Sequence, residues 1–543
     1  MYKDNKIIIG MNDAGEYSCL LPQMANRHGL VTGATGTGKT VTIKVMAEAF
    51  SDMGVPVFMA DVKGDVAGLY NPGTDSDDMQ ERIARFNIGD TFSYHGYPVA
   101  IWDIFGQNGI PLRTTISEMG PLLLSRILNL NETQSGILSI AFKIAEDSEI
   151  DGSKLLLIDT KDLKSLLNYM SENRKALMAD YGNITPQSVA AIIRSIVALE
   201  SAGGDQFFGE KALDIRDWIQ LDAATGRGVI NILDSSSLVN DGRLYSTFLI
   251  WFLSEIYEQM PEVGDLEKPK MVFFFDEAHL LFNDAPKALL EKIEQVIKLI
   301  RSKGIGIYFC TQNPRDIPDA VLAQLGNKVQ HALHAYTPAE QKAVRAAADS
   351  YRVNENFDTY ETILALGTGE AVVSFLDEDG TPGICEKVAV LPPQSSFDAI
   401  DAVTRDRIIK NSFYYTKYIA TEDPDSAYEM LMRIGERAAA AKLAEEQNAI
   451  ERIEQEKAAR EAEKQAEKEA KEAEKAAAKL AKEEAKKKKQ MSNAVGGTVG
   501  RQVGQSIGSA LLGSFGKKLG GNIGAQLGRN LLGTFIGLND DNK

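Results

Sequence analysis

The chain has 543 residues, 44% of them hydrophobic, which is enough for roughly two to four domains with buried cores. Its formal net charge of -17 excludes a global attraction to phosphate polymers, so any nucleic-acid contact has to come from a local basic surface. Three scattered cysteines, Cys19, Cys310 and Cys385, with no Cys-x-x-Cys pair, exclude a disulfide framework and a zinc knuckle.

Residues 1–28 read as a short N-terminal segment. Their start, "MYKDNKIIIGMND", lacks the basic opening and long apolar run of a signal peptide. No apolar run in the chain reaches membrane-spanning length. A cytoplasmic protein with no integral membrane span is the expectation.

From Gly29 to about Asp377, short β-branched and aromatic runs alternate with longer helical patterns, which predicts an α/β fold with a parallel sheet covered by helices. The predicted strands are "GLVTG", "VPVFMADV", "PVAIWDIF", "GVINILD", "MVFFFDEA", "GIGIYFCTQ", "KVQHALHAY" and "EAVVSFL". Residues 111–222 carry helical spacing and few strand signals, and read as an all-helical insertion into the core. The α/β unit is expected to span 29–410, with a break near Pro392-Pro393 and a linker or helix over 411–437. Residues 438–490 are almost all Ala, Glu, Lys, Arg and Gln, rich in opposite charges at i,i+4. With few large apolar residues at heptad positions, they predict a solvated single helix or weak coiled coil rather than a tight zipper.

Residues 491–543 contain a repeat. "VGRQVGQSIGSALLGSF" matches "LGGNIGAQLGRNLLGTF" twenty residues later, with glycines at Gly500, Gly504 and Gly508 and again at Gly516, Gly520, Gly524 and Gly528. Such a stripe lets two helix backbones approach closely, while each helical glycine costs about 1 kcal/mol. The expectation is a glycine-repeat helical tail that packs on itself or on a neighbouring subunit. A membrane-surface or flexible tail is the alternative.

Four stretches carry chemistry. Gly33-Ala34-Thr35-Gly36-Thr37-Gly38-Lys39-Thr40 fits G-x-x-x-x-G-K-[ST], the Walker A P-loop, between a predicted strand and a helix. Its backbone N–H groups are placed to surround phosphates, Lys39 to reach the β- and γ-phosphates, and Thr40 to supply a magnesium ligand. In "MVFFFDEAHLL" a buried-strand run delivers Asp276 and Glu277 to the C-terminal edge of the sheet, the Walker B pattern. Asp276 is placed to hold Mg2+ through water, and Glu277 to polarise the attacking water as general base. His279, next on, reads as a helix-start packing residue.

The strand of "IRSKGIGIYFCTQNP" ends at Gln312, a candidate sensor of the γ-phosphate. Arg301, before that strand, reads either as an arginine finger toward a neighbouring subunit's nucleotide or as a surface helix-end cation. In "VFMADVKGDVAGL", Asp61 is placed to orient Lys63 or the magnesium water network, with a plain turn as the other reading. His331 and His334, three apart on a predicted strand, point to opposite faces and read as structural.

These motifs, together with "LRTTISEMGPLLLSRILNLNETQSGIL", "FFGEKALDI" and "GTGEAVVSFLD", resemble the HerA/FtsK class of P-loop motor ATPases, specifically the HerA-like helicases of the bacterial YjgR type. The resemblance runs through "SAYEML", about four fifths of the chain. It implies a RecA-like core with a helical insertion, hydrolysis of ATP with Mg2+, and a homo-hexameric ring with active sites between subunits. It also implies the roles given above for Lys39, Thr40, Asp276, Glu277 and Gln312, and it matches Arg301 to the arginine that this class offers across the interface. Archaeal HerA carries a substantial N-terminal β-barrel, whereas about thirty residues precede the P-loop strand here. Ring assembly through such a barrel and docking of a nuclease partner therefore stay open. The expected function is an ATP-driven DNA helicase or translocase. An ATPase for protein or peptide transport and a nucleotide-dependent assembly scaffold are the alternatives.

Overall fold

The computed structural model describes residues 1–150, 153–236, 242–264, 266–282 and 287–488. The glycine repeat over 491–543 lies outside the described residues. Two compact units are present: residues 1–146 with 156–427, and residues 147–155 with the described chain from 428 onward.

The first unit is built on one large mixed sheet. Its strands are β1 (Tyr2–Lys3), β2 (Lys6–Asn12), β3 (Tyr17–Leu20), β4 (Gly29–Thr32), β5 (Val57–Asp61), β6 (Val99–Asp103) and β7 (Ile110–Pro111). The two-residue strands β8 (Glu149–Ile150) and β9 (Ser153–Lys154) form a separate hairpin in the second unit. The large sheet resumes with β10 (Ile230–Asp234), β11 (Met271–Phe275), β12 (Ile305–Thr311), β13 (Asn327–Gln330), β14 (Glu370–Ser374) and β15 (Glu386–Val390).

A parallel core runs in the order β13-β4-β12-β11-β5-β10-β6-β7. From β13 the sheet continues antiparallel through β14, β15, β2 and β1, with β3 on β2. The predicted strands of the parallel core all form, because each is a short apolar run that can be buried on both faces. β11 illustrates this. Phe273 and Phe275 turn to one face against Phe58 and Phe252, while Phe274 turns to the other against Phe50 and Tyr308. Burying each such side chain contributes about 1.5–3 kcal/mol, so this strand is fixed in register by both layers.

Three expectations need correction. The segment before residue 29 supplies β1 to β3, and Ile7, Ile8 and Ile9 are buried in it. Its place in the sheet depends on β15, far along the chain. Residues 111–222 are not all helical. Helices Ile116–Ile127, Glu132–Asp147, Thr160–Glu172, Arg174–Tyr181 and Pro186–Ser201 dominate, but the β8–β9 hairpin interrupts them and Pro111 belongs to β7. Finally, the strand expected over "KVQHALHAY" ends at Gln330, so His331 and His334 lie beyond it.

The helix Ala427–Lys488 is 62 residues long, and from Tyr428 onward it belongs to the second unit. Every residue from 439 to 476 whose side chain is described is exposed, as its polar composition on all faces requires. No helix among the described residues is long and apolar enough to cross a membrane.

Candidate functional site

The P-loop joins β4 to the helix Lys39–Asp52. Two of its glycines are forced by geometry. Gly33 has φ +153° and a Cβ there would stand 2.5 Å from the His331 Cβ; Gly38, the helix N-cap, has φ +112°. Thr35 and Gly36 at the tip are exposed. The Thr37 hydroxyl donates to the Ala34 carbonyl at 2.8 Å. Lys39 is buried and its ammonium donates to the carbonyls of Gly33 and Ala34 at 2.7 and 2.9 Å. Burial pushes the Lys39 pKa down, and Lys63 adds to this, while Asp276 and Glu277 act in the opposite direction. Thr40 follows on the first turn of the helix, half-buried.

The loop is braced from behind by segments that sequence reasoning missed. The Ala34 amide donates to the Ala332 carbonyl at 2.8 Å and the Gly369 amide to the Thr37 carbonyl at 3.1 Å. His331 lies under the loop with Nδ1 on the Glu370 carbonyl at 2.9 Å and Nε2 on the Thr42 hydroxyl at 2.8 Å. Burial lowers its pKa to about 4, so at neutral pH the ring is uncharged. The carbonyl then fixes the proton on Nδ1 and leaves Nε2 to accept from Thr42. Arg82 donates to the carbonyls of Val390 and Thr368, both at 3.3 Å, beside the same turn.

The acids stand at the end of β11. Asp276 is buried, which raises its pKa; the nearby Lys63 works against that rise. Its carboxylate accepts the Glu277 amide at 3.0 Å, and Tyr245 donates to its carbonyl at 3.2 Å. Glu277 sits in a left-handed backbone conformation at φ +46°. Its carboxylate meets Lys63 at 3.1 Å, Gln312 Nε2 at 3.4 Å to both oxygens, and His279 Nδ1 at 3.4 Å. Because β12 lies between β4 and β11, Gln312 at its end is interposed between the P-loop strand and the acids. The expected set of Gly33 to Thr40, Asp276, Glu277 and Gln312 therefore occupies one edge of the sheet.

Asp61, at the same edge, holds its own turn: its carboxylate accepts the Gly64 amide at 2.7 Å and the Val66 amide at 3.1 Å. The turn it shapes carries Lys63 to Glu277. This contact joins residues far apart in sequence, and the only sequence signal for it is the "DVKGD" that ends an apolar strand.

Arg301 is not brought to this edge. It opens the turn Arg301–Lys303 before β12, and a seven-residue strand separates it from Gln312, on the order of 20 Å along β12. Its charge lowers the pKa of the buried His28, behind burial as the main cause. His334 stacks on Tyr336 with ring centroids 5.8 Å apart and lines the cleft beside the P-loop.

The donor chemistry fits a nucleotide with a hard cation. A Thr40 hydroxyl and an Asp276 carboxylate are oxygen donors of the kind Mg2+ takes when phosphates supply the rest. Among the described residues no group of three or more His, Cys, Asp or Glu could hold a metal unaided. A cleft of about 330 Å³ opens beside the loop between Ala34, Thr35, Gln312, Leu333 and His334. Clefts of about 630 and 470 Å³ elsewhere in the unit share no residue with the P-loop.

A family described as helicase HerA-like C-terminal matches residues 6–519. A probable helicase of Methanocaldococcus jannaschii is 27% identical over 146 residues, covering 26% of this chain and 26% of that protein. The DNA double-strand break repair helicase HerA of Sulfurisphaera tokodaii is 29% identical over 150 residues, covering 27% of this chain and 29% of that protein. The matched region thus spans between a quarter and a third of these curated relatives. Among solved structures, the unbound bacterial conjugative coupling protein TrwB aligns with a TM-score of 0.47 at 14% identity, covering 74% of this chain and 92% of that one.

Proposed function

The chain belongs to the helicase HerA-like C-terminal family, and from that premise we propose that it is an ATP-hydrolysing motor that moves DNA as a homo-hexameric ring. The observation that carries the reading is the meeting of the P-loop with Glu277 and Gln312 at one edge of the parallel sheet. There the loop amides and Lys39 bind the phosphates, and Thr40 with Asp276 hold Mg2+, which supplies neutralisation of phosphate charge when bound. Glu277 takes the proton of the attacking water, and Gln312 touches the γ-phosphate and reports its loss. Arg301, distant from the site of its own chain, serves the neighbour's γ-phosphate across the ring interface.

The test is ATP turnover with and without single- and double-stranded DNA. The parent chain should hydrolyse ATP faster with DNA, and Lys39→Ala should lose hydrolysis and bind nucleotide far more weakly, because the lysine neutralises the phosphates that the loop surrounds. Turnover by Lys39→Ala at the parent rate would overturn the site. ATP turnover indifferent to DNA would favour the second reading, transport of protein or peptide, which the net charge of -17 supports. A nucleotide-dependent scaffold would keep its assembly in Lys39→Ala.

A further inference from the structure

The Lys63 side chain is anchored at one end and adjustable at the other. Its backbone lies in the turn that Asp61 locks through the Gly64 and Val66 amides, with Gly64 at φ +78°. Its side chain is 41% exposed, and the ammonium reaches Glu277 Oε1 at 3.1 Å. Gln312 approaches both Glu277 oxygens at 3.4 Å, and His279 approaches Oε2 at the same distance. Lys63 and Gln312 thus donate to the carboxylate, and a water molecule competes with them for its lone pairs before it can give up a proton there. Glu277 lies with the P-loop and Gln312 at one edge of the sheet, so the ammonium that reaches it stands at the edge where the P-loop places phosphates. A terminal phosphate carries more charge than a carboxylate and attracts the ammonium more strongly at equal distance.

We propose that Lys63 is the positioning residue for Glu277: it holds the carboxylate until the terminal phosphate of a nucleoside triphosphate draws the ammonium away. This rests on the ATPase reading above and deepens it. The lysine stays protonated throughout and no covalent bond changes. A diphosphate, lacking the terminal group, leaves Glu277 held, so the latch distinguishes triphosphate from diphosphate.

The experiment uses the full chain and the variants Lys63→Met and Lys63→Arg, with ADP and a non-hydrolysable ATP analogue as probes and steady-state ATP turnover. Lys63→Met should bind ADP like the parent, bind the analogue about tenfold more weakly relative to ADP, and show a lower kcat. Lys63→Arg, which keeps the charge, should keep most of the preference for the analogue. An unchanged ratio of analogue to ADP affinity in Lys63→Met overturns the proposal. So does faster turnover, which would make the contact a brake with no phosphate contact. Equal weakening of both nucleotides overturns it too, as support of the loop alone. A parent chain that binds neither nucleotide sinks the ATPase reading itself, whereas a parent that hydrolyses ATP and is matched by Lys63→Met sinks the latch alone.

Discussion

β5 and β11 lie side by side in the sheet, with Ala60 opposite Phe275, and each delivers acids to the same edge. They use them differently. The Asp61 carboxylate is taken up by amides of its own turn, and burial, with the charge of Asp65 beside it, raises its pKa to about 6. The Glu277 carboxylate instead meets side chains from β5's turn, from the end of β12 and from its own following turn. An acid bound to local amides organises backbone. An acid bound to side chains from other segments can exchange those partners for substrate. The two strand ends look alike in sequence, and their partners separate them.

The comparison is tested most severely by Arg301, since it asks whether the end of β11 is complete within one chain. If a neighbour's guanidinium finishes the site, Arg301→Ala should lose turnover by about 10³–10⁵-fold with nucleotide affinity nearly unchanged. Mixing Arg301→Ala subunits with Glu277→Gln subunits, under conditions where exchange is demonstrated, should restore activity. Dead mixtures would place the arginine's action in its own chain, and near-parental turnover of Arg301→Ala would make it a surface cation.

Glu277→Gln keeps size and hydrogen bonding while removing the base. Turnover should fall roughly 10²–10⁴-fold with ATP binding retained. Joint loss of binding and turnover would show that Glu277, like Asp61, works on the backbone.

Asp61→Asn is the complementary test, read as stability without nucleotide. Asp61 has a folded pKa of about 6 against an ordinary value of 3.8. Between those values the unfolded chain releases the proton first, so the carboxyl's contribution to stability is complete below pH 4 and is lost as pH rises through 6. Asparagine carries no such dependence, but its amide nitrogen only donates and cannot accept either of the two turn amides. Asp61→Asn should therefore be most destabilised relative to the parent near pH 4, and the difference should shrink by about 3 kcal/mol above pH 6. The buried histidines, whose pKa values of about 4 make stability rise with pH, cancel in this difference. A difference independent of pH would mean that Asp61 ionises in the folded chain as it does in the unfolded one.

The smallest effect belongs to the exposed helix, where side chains meet only solvent or neighbours one turn away. Lys471 and Glu467 form an i,i+4 pair at 2.6 Å, both largely exposed. Lys471→Ala should change unfolding free energy by less than about 0.5 kcal/mol, and a larger loss would show that this stretch is packed against a partner.

Local pattern made the parallel core legible. Each of its predicted strands is an apolar run with its own turn signals, and the P-loop is a contiguous string whose spacing alone specifies amides, lysine and hydroxyl. The long charged helix was legible for the same reason, since its composition offers no face to bury. What was not legible depends on distance along the chain. β2 becomes part of the sheet by pairing with β15. The hairpin β8–β9 has only two residues per strand, too few to show a period. His331 looked like a strand residue until the strand ended one position earlier and left its Cβ beneath Gly33 and its ring against Thr42.

The sequence by itself determined which residues form the P-loop string and which strand delivers the acids, because those properties reside in neighbouring residues and their spacing. Only the tertiary structure decided that Asp61 shapes a turn, that Lys63 and Gln312 converge on Glu277, and that Arg301 stands at the far end of β12 from them. A carboxylate's role is set by what lies within hydrogen-bond reach, and in this sheet those neighbours come from strands that chain order does not place side by side.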